Sequence, residues 1–355
     1  MIRIRLATAR TTADLQAVRQ SLVAVRQSFE RAETVLDFYV DAVNSRTNPR
    51  LGALLRACDF LAERSMAAVL TQFGQKPPPV LTYIDKGMGA SILRHGLRLW
   101  DPNSLSPAAT IKITRHNLYR PTSLIHEAGH QVAFMLGWNG ELAAALSRTL
   151  HRQDGETAQA WHGWASEIAA DTYAFAHTGY AAVAALHDVL AADPGTVFRM
   201  LPGDPHPVAF ARILLGTAMC RSWFGAGPWD DLEAAWVAAY PPDLAPAGVR
   251  DLLVRSARLV PLIADVCLRA PMRAFGGRPL AAVVDPCRVH PRALRGLAHQ
   301  AGPALHTSPH WLRTESLRLL AWSGYRAATE PDRAGAIADE FESWMLRLGG
   351  GAHGG

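Results

Sequence analysis

One stretch of the chain combines residue types and spacing that describe a reaction. Residues 121–138, PTSLIHEAGHQVAFMLGW, contain His126-Glu127-Ala128-Gly129-His130, an H-E-x-x-H. At about 100° per residue, helical positions four apart lie roughly 40° from each other, so His126 and His130 can aim their imidazoles at one ion from successive turns. Glu127 projects beside them. A carboxylate there takes a proton from a metal-bound water and returns it to a leaving amine. The pattern therefore predicts metal-assisted hydrolysis, and because a catalytic zinc takes three protein ligands and keeps a fourth position open, it also requires a third ligand elsewhere.

Local sequence supplies the helix. Thr122 or Ser123 after Pro121 is the expected N-cap, Ile125, Val132, Ala133 and Leu136 give an apolar side, and Gly137 is placed to end it. Further on, residues 164–175, WASEIAADTYAF, set Glu167 and Asp171 four apart on a second expected helix, so both carboxylates share a face. One can bind the metal while the other orients a histidine. His151, Asp154, Glu156 and His162, in the gap between the two helices, are rival third ligands.

H-E-x-x-H followed by E-x-x-x-D resembles the gluzincin zinc metallopeptidases, in which the later Glu is the third zinc ligand. The resemblance implies that Glu167 completes the site with His126 and His130, and that Asp171 hydrogen-bonds His126 and fixes its tautomer. Residues 203–214, GDPHPVAFARIL, carry His206-Pro207 with Arg212 six residues after the histidine. This looks like the H-P-x-x-x-x-R element of the peptidase family that includes the CAAX prenyl protease and HtpX-type enzymes. By that likeness His206 and Arg212 hydrogen-bond the oxyanion of the tetrahedral intermediate. The likeness covers roughly residues 110–216. It departs from the family in that no segment reads as a membrane span, so prenylated or membrane-protein substrates are not carried over.

Related zinc sites fit less well. A metzincin would need Gly and His where Ala133 and Leu136 stand. A deformylase-type site would need an upstream cysteine ligand, and only Cys58, inside an amphipathic pattern, precedes the helix. Tyr119, Tyr173 and Tyr180 read as packing residues before oxyanion donors, and Trp161 and Trp164 as core or rim before cleft lining. His290, His299, His306 and His310 lack acidic partners at helical spacing and read as surface or structural.

Around this core the periodicity is mostly helical. Apolar residues recur at three- and four-residue steps over 12–43 (Leu15, Val18, Leu22, Val25, Phe29), and a second helix follows the Asn48-Pro49 break to Gly74, which together predict a helical hairpin. The runs 80–85 (VLTYID) and 109–114 (ATIKIT) are the strand candidates. Residues 110–114 read equally as an edge strand offering main-chain hydrogen bonds to an extended peptide and as an ordinary core strand. Helical patterns resume to Gly216 and again around 232–239, 249–268 and 313–326, and the chain ends in GGGAHGG, a flexible tail by composition. The expected fold is mainly α with a small β-sheet. A zincin-like catalytic core over 76–228 is flanked by helical regions at 1–75 and 229–348, with a Gly-rich tail at 349–355.

Composition bounds the remaining possibilities. At 355 residues, 49% hydrophobic and 19% charged, the chain can build a sizeable core and is not a disordered, collagen-like or coiled-coil sequence. Its net charge of +5 comes from arginines scattered singly, without the basic runs of a nucleic-acid binder. Four cysteines far apart, without a C-x-x-C pair, point to a reducing compartment, and with no signal peptide or 18-residue apolar span read, a cytoplasmic location is expected. The function so predicted is a zinc-dependent metallopeptidase, with Zn2+ as cofactor and a peptide or protein as substrate. The alternative is a regulator or sensor on the same fold that binds zinc and a protein partner without general proteolysis.

Overall fold

The computed structural model describes residues 2–85, 90–96, 105–115, 118 and 121–350. Three helices, α1 (Ile2–Thr8), α2 (Thr12–Asn44) and α3 (Pro49–Leu70), precede the strands β1 (Val80–Ile84), β2 (Ser91–Leu93) and β3 (Ala109–Ile113). The central helices are α4 (Thr122–Leu136), α5 (Trp138–His151), α6 (Gly155–Gly163), α7 (Ala165–Thr178), α8 (Tyr180–Leu190), α9 (Pro194–Val197) and α10 (Ala209–Phe224). The remainder is α11 (Pro228–Ala239), α12 (Ala247–Arg269), α13 (Leu280–Val283), α14 (Pro291–Ala301), α15 (Pro309–Thr314), α16 (Ser316–Thr329) and α17 (Ala334–Gly350). The protein is mostly helical with one three-stranded sheet. Among the described residues no helix is long and apolar enough to cross a membrane.

The N-terminal helices begin where side chains can replace missing backbone partners. Thr11 and Asp14 form a reciprocal capping box on α2, and Asn48 caps α3 with Pro49 in its first turn. They do not make the expected hairpin. α3 packs on β1, α4 and α17, whereas α2 lies along β1 and β3. Of the apolar positions that define the start of α2, Val18 is buried while Leu15, Leu22, Val25 and Phe29 are exposed. Periodicity fixes the helix, but the neighbours fix which side is covered.

In the sheet the order is β1-β3-β2, with β1 parallel and β2 antiparallel to β3. Thr110–Ile113 is therefore the middle of the sheet, which overturns the edge-strand reading, and the edge beside the cleft is the unanticipated β2. Gln131 of α4 fastens the chain just after β2. Its buried amide accepts the His95 N–H at 2.9 Å and donates to the His95 carbonyl.

α4 starts differently from expectation as well. Pro121 occupies the cap position, no side chain caps the helix, and the Thr122 and Ser123 hydroxyls are buried without a partner. Gly137 ends α4 as expected, in the left-handed region at φ 70°. The apolar pattern over 313–326 is interrupted at Glu315, between α15 and α16. At the C-terminus Gly349 and Gly350 belong to α17 rather than to a flexible tail. A Cβ on Gly349 would lie 1.8 Å from the Ala53 carbonyl oxygen, and Arg56 Nε donates to the Gly349 carbonyl at 2.9 Å. Residues 351–355 fall outside the described residues. One continuous hydrophobic core runs from Leu54 on α3, through Trp138, Trp161, Ile168 and Leu253, to Trp344 and Leu348 on α17.

Candidate metal centre

Three helices build the site. α4 carries His126, Glu127 and His130, α7 carries Glu167 and Asp171, and α10 carries Arg212. α4 and α7 approach closely because Gly129 has no side chain: a Cβ there would stand 3.0 Å from both the Ala170 Cα and the Tyr173 Cβ. The glycine inside H-E-x-x-H thus lets the second helix come near enough for its carboxylates to reach the histidines.

His126, His130 and Glu167 form the one group among the described residues in which three potential ligand atoms lie close enough to hold a metal ion, all within 4.8 Å of one another. His126 Nε2 is 3.4 Å from Glu167 Oε2, and His130 Nε2 is 3.2 Å from Oε1. Donor atoms at about 2.0–2.2 Å from a tetrahedral ion stand about 3.3–3.6 Å apart, so these separations match a shared ligand sphere closely. Two imidazoles and a carboxylate are also a donor set that suits zinc. The residues present fit the group.

The surroundings are charged and largely buried. Asp171 Oδ1 accepts from His126 Nδ1 at 2.9 Å, so the outward imidazole nitrogen of His126 carries the proton and Nε2 faces Glu167. Arg212 grips the same carboxylate with two parallel bonds, Nε to Oδ2 at 2.8 Å and Nη2 to Oδ1 at 2.7 Å, and its Nη2 lies 3.6 Å from Glu167 Oε2. Asp171 and Arg212 are both buried. Arg212 Nε and Nη2 are both engaged by Asp171, and the residue also lines the cleft. A buried guanidinium beside a buried carboxylate satisfies both charges bidentately. His206 stands at the rim, its side chain 60% exposed, with Nδ1 2.7 Å from Asp204 Oδ1 and Nε2 3.7 Å from Glu167 Oε1. Asp204 escaped the sequence reading because an Asp two residues before a histidine in a Gly/Pro loop carries no periodic signal.

These contacts displace the protons. Burial alone would push the His126 imidazole down, but its bonds to Asp171 and Glu167 win and raise it to about 10. Burial raises Glu127, opposed by the neighbouring histidines and Arg212. Glu167, which burial would raise, is held well below the usual carboxylate range by His126 and His130.

All seven residues singled out from the sequence line one cavity of about 670 Å³. The rival ligands lie apart from it. Asp154 caps α6 and meets Arg255 at 3.2 Å, Glu156 meets the same arginine at 2.6 Å, and His162 Nδ1 lies 3.3 Å from the Ala143 carbonyl. His151 is exposed. Trp161 bonds Ser256 in the core at 3.1 Å, and neither it nor Trp164, Tyr173 or Tyr180 lines the cavity. His290 is structural, its Nδ1 accepting the Arg292 N–H at the start of α14. Tyr119 falls outside the described residues. Missed in the sequence were the β2 wall, Ser91 and Ile92, and the apolar lining residues Ala174, Val183, Gly216 and Met219. No family model, curated protein or solved structure matches the chain.

Proposed function

We propose that the protein is a zinc-dependent peptide hydrolase built on a zincin-like core, with zinc held by His126, His130 and Glu167. The observation that carries this reading is the convergence of two Nε2 atoms and one carboxylate within 4.8 Å, with Glu127 one residue along the same helix in the same cavity. When bound, zinc lowers the pKa of a coordinated water and polarises the scissile carbonyl. Glu127 accepts the proton released by the attacking water and delivers it to the leaving amine. Its burial, which raises its carboxyl, suits a group that must both take and return a proton near neutral pH.

Asp171 and Arg212 are positioning residues: the carboxylate holds the His126 ring, and the guanidinium holds the carboxylate. His206, anchored through Nδ1 on Asp204, keeps Nε2 toward the cleft and is the side chain placed to donate to an oxyanion. β2 offers main-chain groups to an extended peptide at the cleft edge. The apolar part of the cavity lining, with Ala174, Val183 and Met219, suits an apolar side chain of that peptide.

The test uses the purified full chain loaded with zinc and a library of fluorogenic peptides. The expected outcome is turnover in the wild type and a fall of about 10²–10⁴-fold in Glu127→Gln, with metal content unchanged. A variant that retains wild-type turnover refutes the general-base assignment. Metal bound at one equivalent with no turnover of any peptide or unfolded protein favours instead the regulator reading.

A further inference from the structure

α2 is 33 residues long, about 50 Å at 1.5 Å per residue, yet only part of its surface is used by the body of the protein. Val35 and Ala42 are buried against the sheet side, and Tyr39 Oη lies 3.0 Å from Ser106 Oγ. A second apolar face is partly closed near its start, where Val18 is buried and α1 packs on α2, and is left open along the rest. Leu15, Leu22, Val25, Phe29, Leu36, Val40 and Val43 are each about half exposed or more, with Phe29 at 65%. At about 100° per residue all seven fall inside a stripe roughly 80° wide, next to the covered face.

Spacing within that stripe says what kind of surface covers it. Leu15, Leu22, Phe29, Leu36 and Val43 follow one another at steps of seven, and Val25 falls three residues after Leu22. A seven-residue apolar repeat kept over four steps is the seam that another helix fills by knobs-into-holes packing. An isolated helix that only needed to lie on a globular body would drift from that register.

Charge says which helix. The first half of α2 has Arg19 and Arg26 against Asp14, and Asp14 already accepts the Arg10 and Thr11 amides. The second half has Glu30, Glu33, Asp37 and Asp41 against Arg31. One half is basic and the other acidic, so a parallel copy would set like on like, while an antiparallel copy sets each half on its complement. Arg26 and Glu33 keep the seven-residue step along one flank of the stripe, so a two-fold axis crossing between them brings Arg26, which meets Glu30 of its own helix at 2.8 Å, to Glu33 of the other chain. The helix as a whole is net acidic, which disfavours an anionic lipid surface as the occupant.

We infer that the protein forms a two-fold homodimer through an antiparallel pairing of α2 with α2 of a second copy, Leu22, Phe29 and Leu36 at the seam and Arg26–Glu33 pairs on its flank. The inference is independent of the metal centre, which lies on α4, α7 and α10.

Sedimentation of the full chain at tens of micromolar tests it. The expected mass is twice that of one chain, falling to one chain in Phe29→Glu with unchanged circular dichroism. Arg26→Glu is the milder variant, placing like charges across the axis without touching the seam. It weakens the dimer at least tenfold, and Arg26→Glu combined with Glu33→Arg restores it. A wild type that sediments as one chain overturns the inference, as does a dimer that survives both Phe29→Glu and Arg26→Glu. So does a chain that stays monomeric and binds vesicles of anionic lipid through the same stripe.

Discussion

Replacing Asp171 by Asn separates two roles that one carboxylate performs. Asp171 accepts from His126 Nδ1 at 2.9 Å and from two nitrogens of Arg212 at 2.7 and 2.8 Å. Asparagine keeps an oxygen for one of these donors and removes the charge. Arg212, buried, is then left as an uncompensated cation whose nearest carboxylate is Glu167 at 3.6 Å. Removing one partner of a buried pair costs about 3–5 kcal/mol of stability. Losing the anionic partner of a ligating histidine costs about 10–100-fold in metal affinity, equal to about 1.4–2.7 kcal/mol. Adding Arg212→Met takes away the stranded cation. The double variant therefore recovers most of the lost stability but little of the zinc affinity, because His126 still lacks its carboxylate. Urea midpoints of the metal-free chain report the first quantity, and competition against a chromophoric chelator reports the second. Equal recovery of both would refute the reasoning, as would an Asp171→Asn chain with wild-type zinc affinity.

Three further outcomes follow from the same structure. His177 is buried on α7 with Nε2 unpartnered, and burial pushes its imidazole down from 6.5 to about 3. Its contribution is complete above 6.5 and is lost as pH falls toward 3, at up to about 1.4 kcal/mol per pH unit. His177→Leu should flatten that limb in a series of urea midpoints against pH, and parallel curves would sink the assignment. Gly129→Ala puts a Cβ 3.0 Å from the backbone of α7 and should cost about 1–3 kcal/mol and weaken zinc binding, whereas Gly140→Ala, with open space around it, should not destabilise. Thermal midpoints and chelator competition check both, and an unchanged Gly129→Ala would contradict the close-approach argument. Zinc binding near neutral pH should release at least one proton per ion, since His126 is held up to about 10 in the metal-free chain. Titration calorimetry in buffers of different ionisation enthalpy measures it, and zero release would contradict the His126–Asp171–Glu167 network.

What could be read from the sequence was whatever a single helix encodes. His126, Glu127 and His130 lie within one turn and a half, so their mutual geometry follows from helical periodicity alone, and the structure sets them in the cavity together. Glu167 is 37 residues beyond His130, and nothing in periodicity says that α7 returns to α4. Only the resemblance picked it from its rivals, and the contact at Gly129 supplies the physical reason. Arg212 shows the limit from the other side: its place in the chain was legible, but the direction of its guanidinium was not, because the partner Asp171 is 41 residues away. The short β2 and the packed Gly349 were missed for a related cause. Three residues give too little alternation to read, and a glycine chosen for a helix contact has the same letter as one in a tail.

Charge balance ties the site to a divalent ion more tightly than the motif does. Four carboxylates, Glu127, Glu167, Asp171 and Asp188, and two arginines, Arg94 and Arg212, line one cavity. With both imidazoles neutral, four negative charges stand against two positive, and the excess gathers at the buried Glu127, Glu167 and Asp171, where it is tolerated only when something offsets it. In the metal-free chain the His126 protons carry part of that compensation, its imidazole raised to about 10 by Asp171 and Glu167, whose own carboxyls are held below their usual range. A dication cancels the excess without those protons, so binding and deprotonation are one equilibrium. His130 Nδ1, buried without a hydrogen-bond partner, fits the same account, since its ring is held by what Nε2 meets and by packing alone. The carboxylates that make this pocket expensive to bury are therefore what would favour a divalent cation between His126, His130 and Glu167, and in the proposed hydrolase Glu127 would be the one left free to exchange a proton.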